Sequence, residues 1–290
     1  MARADEGKVM EPDNAQYCAD MVRQDDYDRY LTVLCARPED RRGLFALYAF
    51  NQEVAKTREQ VTDATLGEIR LQWWRETVQG LYEGEVRRHP VAEEMALALR
   101  DAELPMALLM EIIDGRVSDL YDDSPKRLED LIAYADATGG AVAEAALRLS
   151  GVTARDAIGV ARGIGIAWAL VGLVRALGFH AQMRRSYLPE EELAAAGIPK
   201  ETLFQGSFAP ELTPLIERLG EEARRRIKAA RGHRDKVPKR GRPVLLLASL
   251  AEGYLKRLKA AAGNPLEADF HRGHLRRLMA LYRRSLRRQF

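Results

Sequence analysis

Apolar residues recur along this 290-residue chain at three- and four-residue spacing, and nowhere in sustained alternation, so the pattern predicts helices and no strands. Residues 17–35 are amphipathic. Arg37-Pro38-Glu39-Asp40 reads as a helix start, with Pro near the first turn and acids behind it, and the helix runs on through 44–61. Further helices are expected over 66–82 and 91–103, and from Leu104-Pro105 through Met110, Ile113 and Val117. A helical segment over 128–149 ends at Gly151, and Thr153 is placed to cap the next helix. Beyond the middle of the chain, 190–196 reads as a short acidic helix and 197–210 as a loop-like link. A strongly charged helix follows over 212–234, then the basic connector KVPKRGRP at 236–243. The next helix, over 244–261, has Leu246, Leu250 and Tyr254 in phase.

The chain is organised around GIGIAWALVGLVRALGFHAQMRRSYLP, residues 163–189. Its apolar run, 164–174, is hydrophobic all round and belongs in the middle of a helical protein. The run is shorter than the roughly 20 apolar residues that a bilayer requires. Polar groups then arrive together at Arg175, His180, Gln182, Arg184, Arg185 and Tyr187, with Leu188-Pro189 closing the helix. Such a segment reads either as the wall of a pocket or as a core helix with a solvated last turn.

Composition narrows the picture. With 47% hydrophobic and 30% charged residues the chain can bury a large core. The expected organisation is an N-terminal tail over 1–14, disordered and without a secretory signal, and one all-α domain over 15–290. Net charge is only +2, so the protein is not a polycation, and no aromatic-basic stripe points to nucleic acid. Cys18 and Cys35 suit a reducing, cytoplasmic setting and read as small buried residues. No internal repeat, dinucleotide fingerprint, P-loop or Ser-His-Asp arrangement is present.

Several side chains carry possible chemistry. Glu111, Asp114, Asp119, Asp122 and Asp123 offer carboxylates at helical spacing, hard oxygen ligands of the kind Mg²⁺ takes, or else a solvated acidic helix end before Ser124-Pro125. Of the adjacent Trp73 and Trp74, one is expected in the core and the other at a cavity or helix crossing. His89 reads as a loop residue before Pro90. Residues 271–290 hold Arg272, Arg276, Arg277, Arg283, Arg284, Arg287 and Arg288 without an acid, opposite Leu275, Leu278, Tyr282, Leu286 and Phe290. That helix either docks on the bundle or lies on an anionic membrane surface. His271 and His274 are too few for a zinc site.

Two segments resemble the signatures of the squalene/phytoene synthase superfamily. The second signature, roughly N-x-x-R-D-x-x-x-D-x-x-x-x-R-x-Y-L-P, places its arginines on Arg175 and Arg185 and Y-L-P on Tyr187, Leu188 and Pro189. Its asparagine falls on Gly172 and its aspartates on Ala176 and His180. The first, a tyrosine-led apolar turn before D-x-x-x-D, matches Tyr48-Ala49-Phe50, with its aspartates on Ala55 and Glu59, beside Lys56 and Arg58. Weaker likeness lies in Gln72-Trp73-Trp74-Arg75, Tyr82, Arg88-His89-Pro90-Val91, Tyr134-Ala135 and Thr138-Gly139-Gly140.

The resemblance implies an isoprenoid-synthase-type helical bundle around a central cavity. The family joins two prenyl diphosphates head to head, with Mg²⁺ between aspartate-rich helices. Here Ala55, Glu59, Ala176 and His180 leave one carboxylate opposite an imidazole, a poor cage for a hard cation. No catalytic residue and no metal ligand is therefore assigned. Tyr48, Asn51, Glu59, Arg175, His180, Arg185 and Tyr187 are the expected pocket residues, and no cofactor is expected. The departure is shared with the divergent branch that includes the mitochondrial respiratory complex I assembly factor. It implies a bacterial relative that helps assemble the NADH dehydrogenase, with a respiratory-complex subunit as partner, cytoplasmic and peripheral at the inner membrane. Two alternatives stand beside it. One is an active prenyltransferase holding Mg²⁺ through Glu59, Glu53 or the 114–123 carboxylates. The other is an isoprenoid or anionic-lipid carrier gripping a headgroup with Arg175 and Arg185.

Overall fold

A computed structural model describes residues 13–100, 102–121 and 123–270, together with positions 279, 281, 283 and 290. Most of the expected tail (1–12), most of the arginine-rich segment, and His271, His274 and Asp122 lie outside the described residues. Among the described residues every regular element is helical.

Helix α1 (Asn14–Asp25) starts where the Asp13 carboxylate accepts the Ala15 N–H. The amphipathic stretch 17–35 is two helices rather than one. Asp26 leaves the helix at φ −142° and its side chain caps α2 (Tyr27–Leu34) by accepting the Arg29 N–H. α3 (Pro38–Ala55) has Pro at its first turn with Glu39 and Asp40 behind, as expected. It stops at Lys56, and α4 (Thr57–Gln60) continues separately. α5 (Ala64–Glu83) ends on left-handed Gly84, and α6 (Pro90–Leu99) opens on His89, whose Nδ1 accepts the Val91 N–H. α7 (Met106–Asp114) runs into a 3₁₀ turn, Val117–Leu120. α8 (Leu128–Ala135) and α9 (Ala141–Leu149) are joined by a π-turn, Asp136–Gly140.

The central helix α10 spans Arg155–Arg175 and is shorter at its C-terminus than the pattern predicts. Ala176 ends it, α11 (Leu177–Gln182) follows, and Leu188-Pro189 lies in extended chain before α12 (Glu190–Ala195). Thr153 is not its cap: Ala154 takes that position without a side-chain hydrogen bond. The link over 197–210 contains a 3₁₀ helix, Lys200–Phe204. The basic connector leads into another, Lys239–Leu246, between α13 (Thr213–Gly232) and α14 (Leu247–Ala260).

At 21 residues α10 is long and apolar enough to cross a membrane, yet α13, α9, α14 and the π-turn enclose much of it. Gly139 and Gly165 make the tightest of these crossings: a Cβ on Gly165 would lie 2.2 Å from the Gly139 carbonyl oxygen. One apolar core gathers Ile164 and Leu170 of α10 with Ile216, Leu219 and Leu250. A second gathers Tyr48, Phe50, Trp74, Leu109 and Ile112, and α9 sends side chains into both. Trp74 is buried there, and half-buried Trp73 meets it edge-on at 4.8 Å beneath His89 and Arg87.

Candidate functional site

The breaks at Lys56 and Ala176 decide where the expected pocket residues go. Two acids at i and i+4 share a face only along one continuous helix. In the first segment Ala55 ends α3 while Glu59 sits on α4, exposed. In the second, Arg175 ends α10 while His180 belongs to α11. The predicted residues consequently fall into two groups.

The first group surrounds Asp119, which is 4% exposed in the 3₁₀ turn after α7. Its carboxylate accepts the hydroxyls of Tyr187 at 2.7 Å and Tyr134 at 2.9 Å, and pairs with Arg116 at 3.3 Å. Arg185 donates to the Asp119 backbone carbonyl. The His180 ring packs against Tyr187 with centroids 4.7 Å apart and the two planes inclined at 57°. Burial and the neighbouring Arg185 push the imidazole down to about 4, so it is neutral at physiological pH. Burial raises both phenols far above their usual range; for Tyr134 the Arg116 charge works against this and the Asp119 charge adds to it, and for Tyr187 the Asp119 charge adds to it more than Arg185 opposes it. Burial opposes the Arg116 charge, but Tyr134 and Asp119 outweigh it and keep the guanidinium protonated.

The second group surrounds Asp28 of α2. Arg175 pairs with it at 3.4 Å, and Tyr254 donates its hydroxyl to the same oxygen. The Arg175 guanidinium lies 3.7 Å from the Tyr254 ring centroid, with Trp168 and Phe270 each at 5.9 Å. Tyr48 is buried on α3 under the Arg29 guanidinium at 5.3 Å, and burial raises its phenol to about 12. Arg29 is held by Asp26 at 2.7 Å. Asn51 is buried near by on α3, and its Oδ1 has no hydrogen-bond partner.

The structure thus joins His180, Arg185 and Tyr187 around one acid and Arg175 around another, and leaves Glu59 apart. Asp28, Arg116, Asp119, Tyr134 and Tyr254 complete these groups. The sequence pattern places Asp119 at a solvated acidic helix end, and its burial overturns that reading. The Arg116-x-x-Asp119 spacing and Tyr134 were visible signals; nothing in the sequence marked Asp28. Glu111 is drawn to Arg162, which also binds Asp136 and Glu144, and Asp114 pairs with Arg75. Burial works against the Arg162 charge, but these three carboxylates outweigh it and raise its pKa.

Magnesium needs several free oxygens in octahedral array. Among the described residues no group of three or more His, Cys, Asp or Glu side chains could hold a metal ion. Asp119 and Asp28 already accept from phenols and guanidiniums, and Ala55, Ala176 and the neutral His180 supply no hard donor. The residues present do not fit the ion.

The backbone is of the isoprenoid-synthase type. A crystal structure of a dehydrosqualene synthase in complex with ligand matches it with a TM-score of 0.82, over 93% of this chain and 94% of that one, at 20% identity. The chain belongs to the squalene/phytoene synthase family, whose model matches residues 22–279. Among curated relatives, NADH dehydrogenase (ubiquinone) complex I, assembly factor 6 of Bos taurus is 29% identical over 275 residues, 95% of this chain and 83% of its own length. The Homo sapiens protein of that name is 30% identical over 243 residues, covering 84% and 73%.

Proposed function

We propose that this chain is a non-catalytic family member that assists assembly of the respiratory NADH dehydrogenase, with a subunit of that complex as its partner. The observation that carries the proposal is the engagement of the signature side chains within the protein. Arg175 is committed to Asp28 and Tyr254, and Arg185 and Tyr187 to Asp119. The names and lengths of the relatives support the same reading. No cofactor is required, and the working place is the cytoplasmic side of the inner membrane. The arginine-rich segment over 271–290 is the proposed contact with anionic lipid.

Losing one well-placed electrostatic stabiliser typically slows an enzyme by about 10²–10³. Three of four acids are replaced here, so head-to-head coupling of prenyl diphosphates is expected to be absent. Deleting the gene in its host should lower assembled NADH dehydrogenase on native gels while leaving polyprenyl products unchanged. Release of pyrophosphate from farnesyl or geranylgeranyl diphosphate with Mg²⁺ would instead establish the prenyltransferase reading. Saturable, metal-independent binding of these diphosphates that is lost in Arg175→Ala would establish the carrier reading.

A further inference from the structure

A separate cavity lies away from the Asp119 and Asp28 groups. The first turns of α3, the second half of α6 and the turn after α9 enclose about 410 Å³, within the range of small-molecule sites. Leu97, Ala98 and Leu149 give it an apolar floor.

The charges around this floor are arranged unequally. Arg37 binds Asp40 through two hydrogen bonds of 3.0 Å, and Arg42 binds Glu94 at 2.7 and 2.8 Å. The acids stand behind: the side chains of Asp40 and Glu94 are 8% and 2% exposed, those of Arg37 and Arg42 47% and 56%. The open side therefore meets guanidinium, tempered by the exposed Glu39 at 3.3 Å from Arg37. Arg42 spends its Nε and Nη2 on Glu94, which leaves Nη1 available for a ligand.

A third guanidinium, Arg240, lies flat against Gly151, where a Cβ would come within 2.6 Å of its Cζ. Gly151 has φ +70°, a conformation that L side chains rarely adopt, so this backbone platform depends on glycine twice over. Among the described residues no carboxylate pairs with Arg240. One guanidinium without a carboxylate partner is thus seated at the exposed edge of a cavity of mixed polar and apolar lining, beside two guanidiniums whose acids stand behind them. Guanidinium donors beside apolar side chains offer charge-assisted hydrogen bonds to an oxyanion together with contact to an alkyl body.

We propose that this cavity binds a small amphiphilic anion, its alkyl body on Leu97, Ala98 and Leu149 and its oxyanion head on Arg240 and the Nη1 of Arg42. The site is independent of the assembly role. It is tested by titrating the full chain with octyl phosphate in a calorimeter, beside inorganic phosphate and octanol. Octyl phosphate should bind at least about tenfold more tightly than either part alone. Arg240→Glu, at an exposed position, should weaken it by a further factor of about ten or more with unchanged thermal unfolding, and Leu97→Asp should do the same. Equal affinity in wild type and Arg240→Glu, or no saturable binding of octyl phosphate, would overturn the proposal. Sedimentation with phosphatidylcholine vesicles containing phosphatidic acid distinguishes the source of the head. Arg240-dependent sedimentation assigns a membrane lipid, whereas octyl phosphate binding without sedimentation assigns a soluble amphiphile.

Discussion

The Tyr187 hydroxyl donates to Asp119 at 2.7 Å across 68 positions of sequence. Through that carboxylate, which Tyr134 and Arg116 also reach, the Tyr187-Leu188-Pro189 segment is fastened to α8 and to the turn after α7. Removing one partner of a buried ion pair leaves the other charge uncompensated, which costs about 3–5 kcal/mol. Asp119→Asn should therefore lower stability by about that amount, read as a shift of the urea midpoint with an unchanged slope. An unshifted midpoint would show that the cluster fastens nothing. Arg116→Met combined with Asp119→Leu should be less destabilising than Asp119→Asn, because no buried charge then stands alone.

Acid should weaken the fold through His180. Its folded pKa, about 4, is depressed below the ordinary value of 6.5, so the unfolded chain takes up the proton first as pH falls. The stability that neutral His180 provides is complete above pH 6.5 and drains away between there and about 4. At 1.36 kcal/mol per unit the loss is about 3 kcal/mol. Urea unfolding at a series of pH values should show this slope in the wild type and not in His180→Gln. A slope that persists in the variant would assign it to other groups.

Arg175 combines an ion pair with face-on stacking against Tyr254. Lysine keeps the charge but loses the planar fork, so Arg175→Lys should cost about 1–2 kcal/mol. Arg175→Met, which removes the charge beside Asp28, should cost more. Chemical denaturation of both variants ranks them. Equal losses would mean that the guanidinium plane contributes nothing at this position.

The crossing of α10 with the π-turn has no room for a methyl group at Gly165, which would press on the Gly139 carbonyl and on Ala143. Gly165→Ala should destabilise by about 1–3 kcal/mol. Gly163→Ala on the same helix, with nothing within 4 Å of the added carbon, should be neutral or slightly stabilising. Thermal unfolding of the pair separates close packing from a general effect of glycine in a helix.

Much of the fold was legible because apolar spacing is strong: over 64–83 and 213–232 helices form within a few residues of the expected limits, and those over 38–55 and 155–175 begin near the expected starts but end early. The interruptions were harder to see. Lys56 and Ala176 are ordinary helix residues in composition, and each breaks its helix because ψ leaves the helical range, at 1° for Lys56 and 7° for Ala176. Asp26 did carry a signal, an aspartate two positions before Asp28, but its capping role depends on a local turn that periodicity does not register. For the site, the family frame identified Arg175, His180, Arg185 and Tyr187. Asp28 and Asp119 were illegible as their partners because those pairings join segments far apart in the chain, and an aspartate among other aspartates looks solvated until the fold closes over it.

The interruption at Lys56 limits what restoring the family's first acid pair could do in this chain. Grafting aspartate back at positions 55 and 59 would put the two carboxylates on separate helical segments, the second facing solvent. The intervening Lys56 turns to Asp25, which it pairs with at 2.7 Å. Aspartates at 55 and 59 would therefore not converge on one ion, and the main chain between the two helices sets the geometry there as firmly as the side chains do.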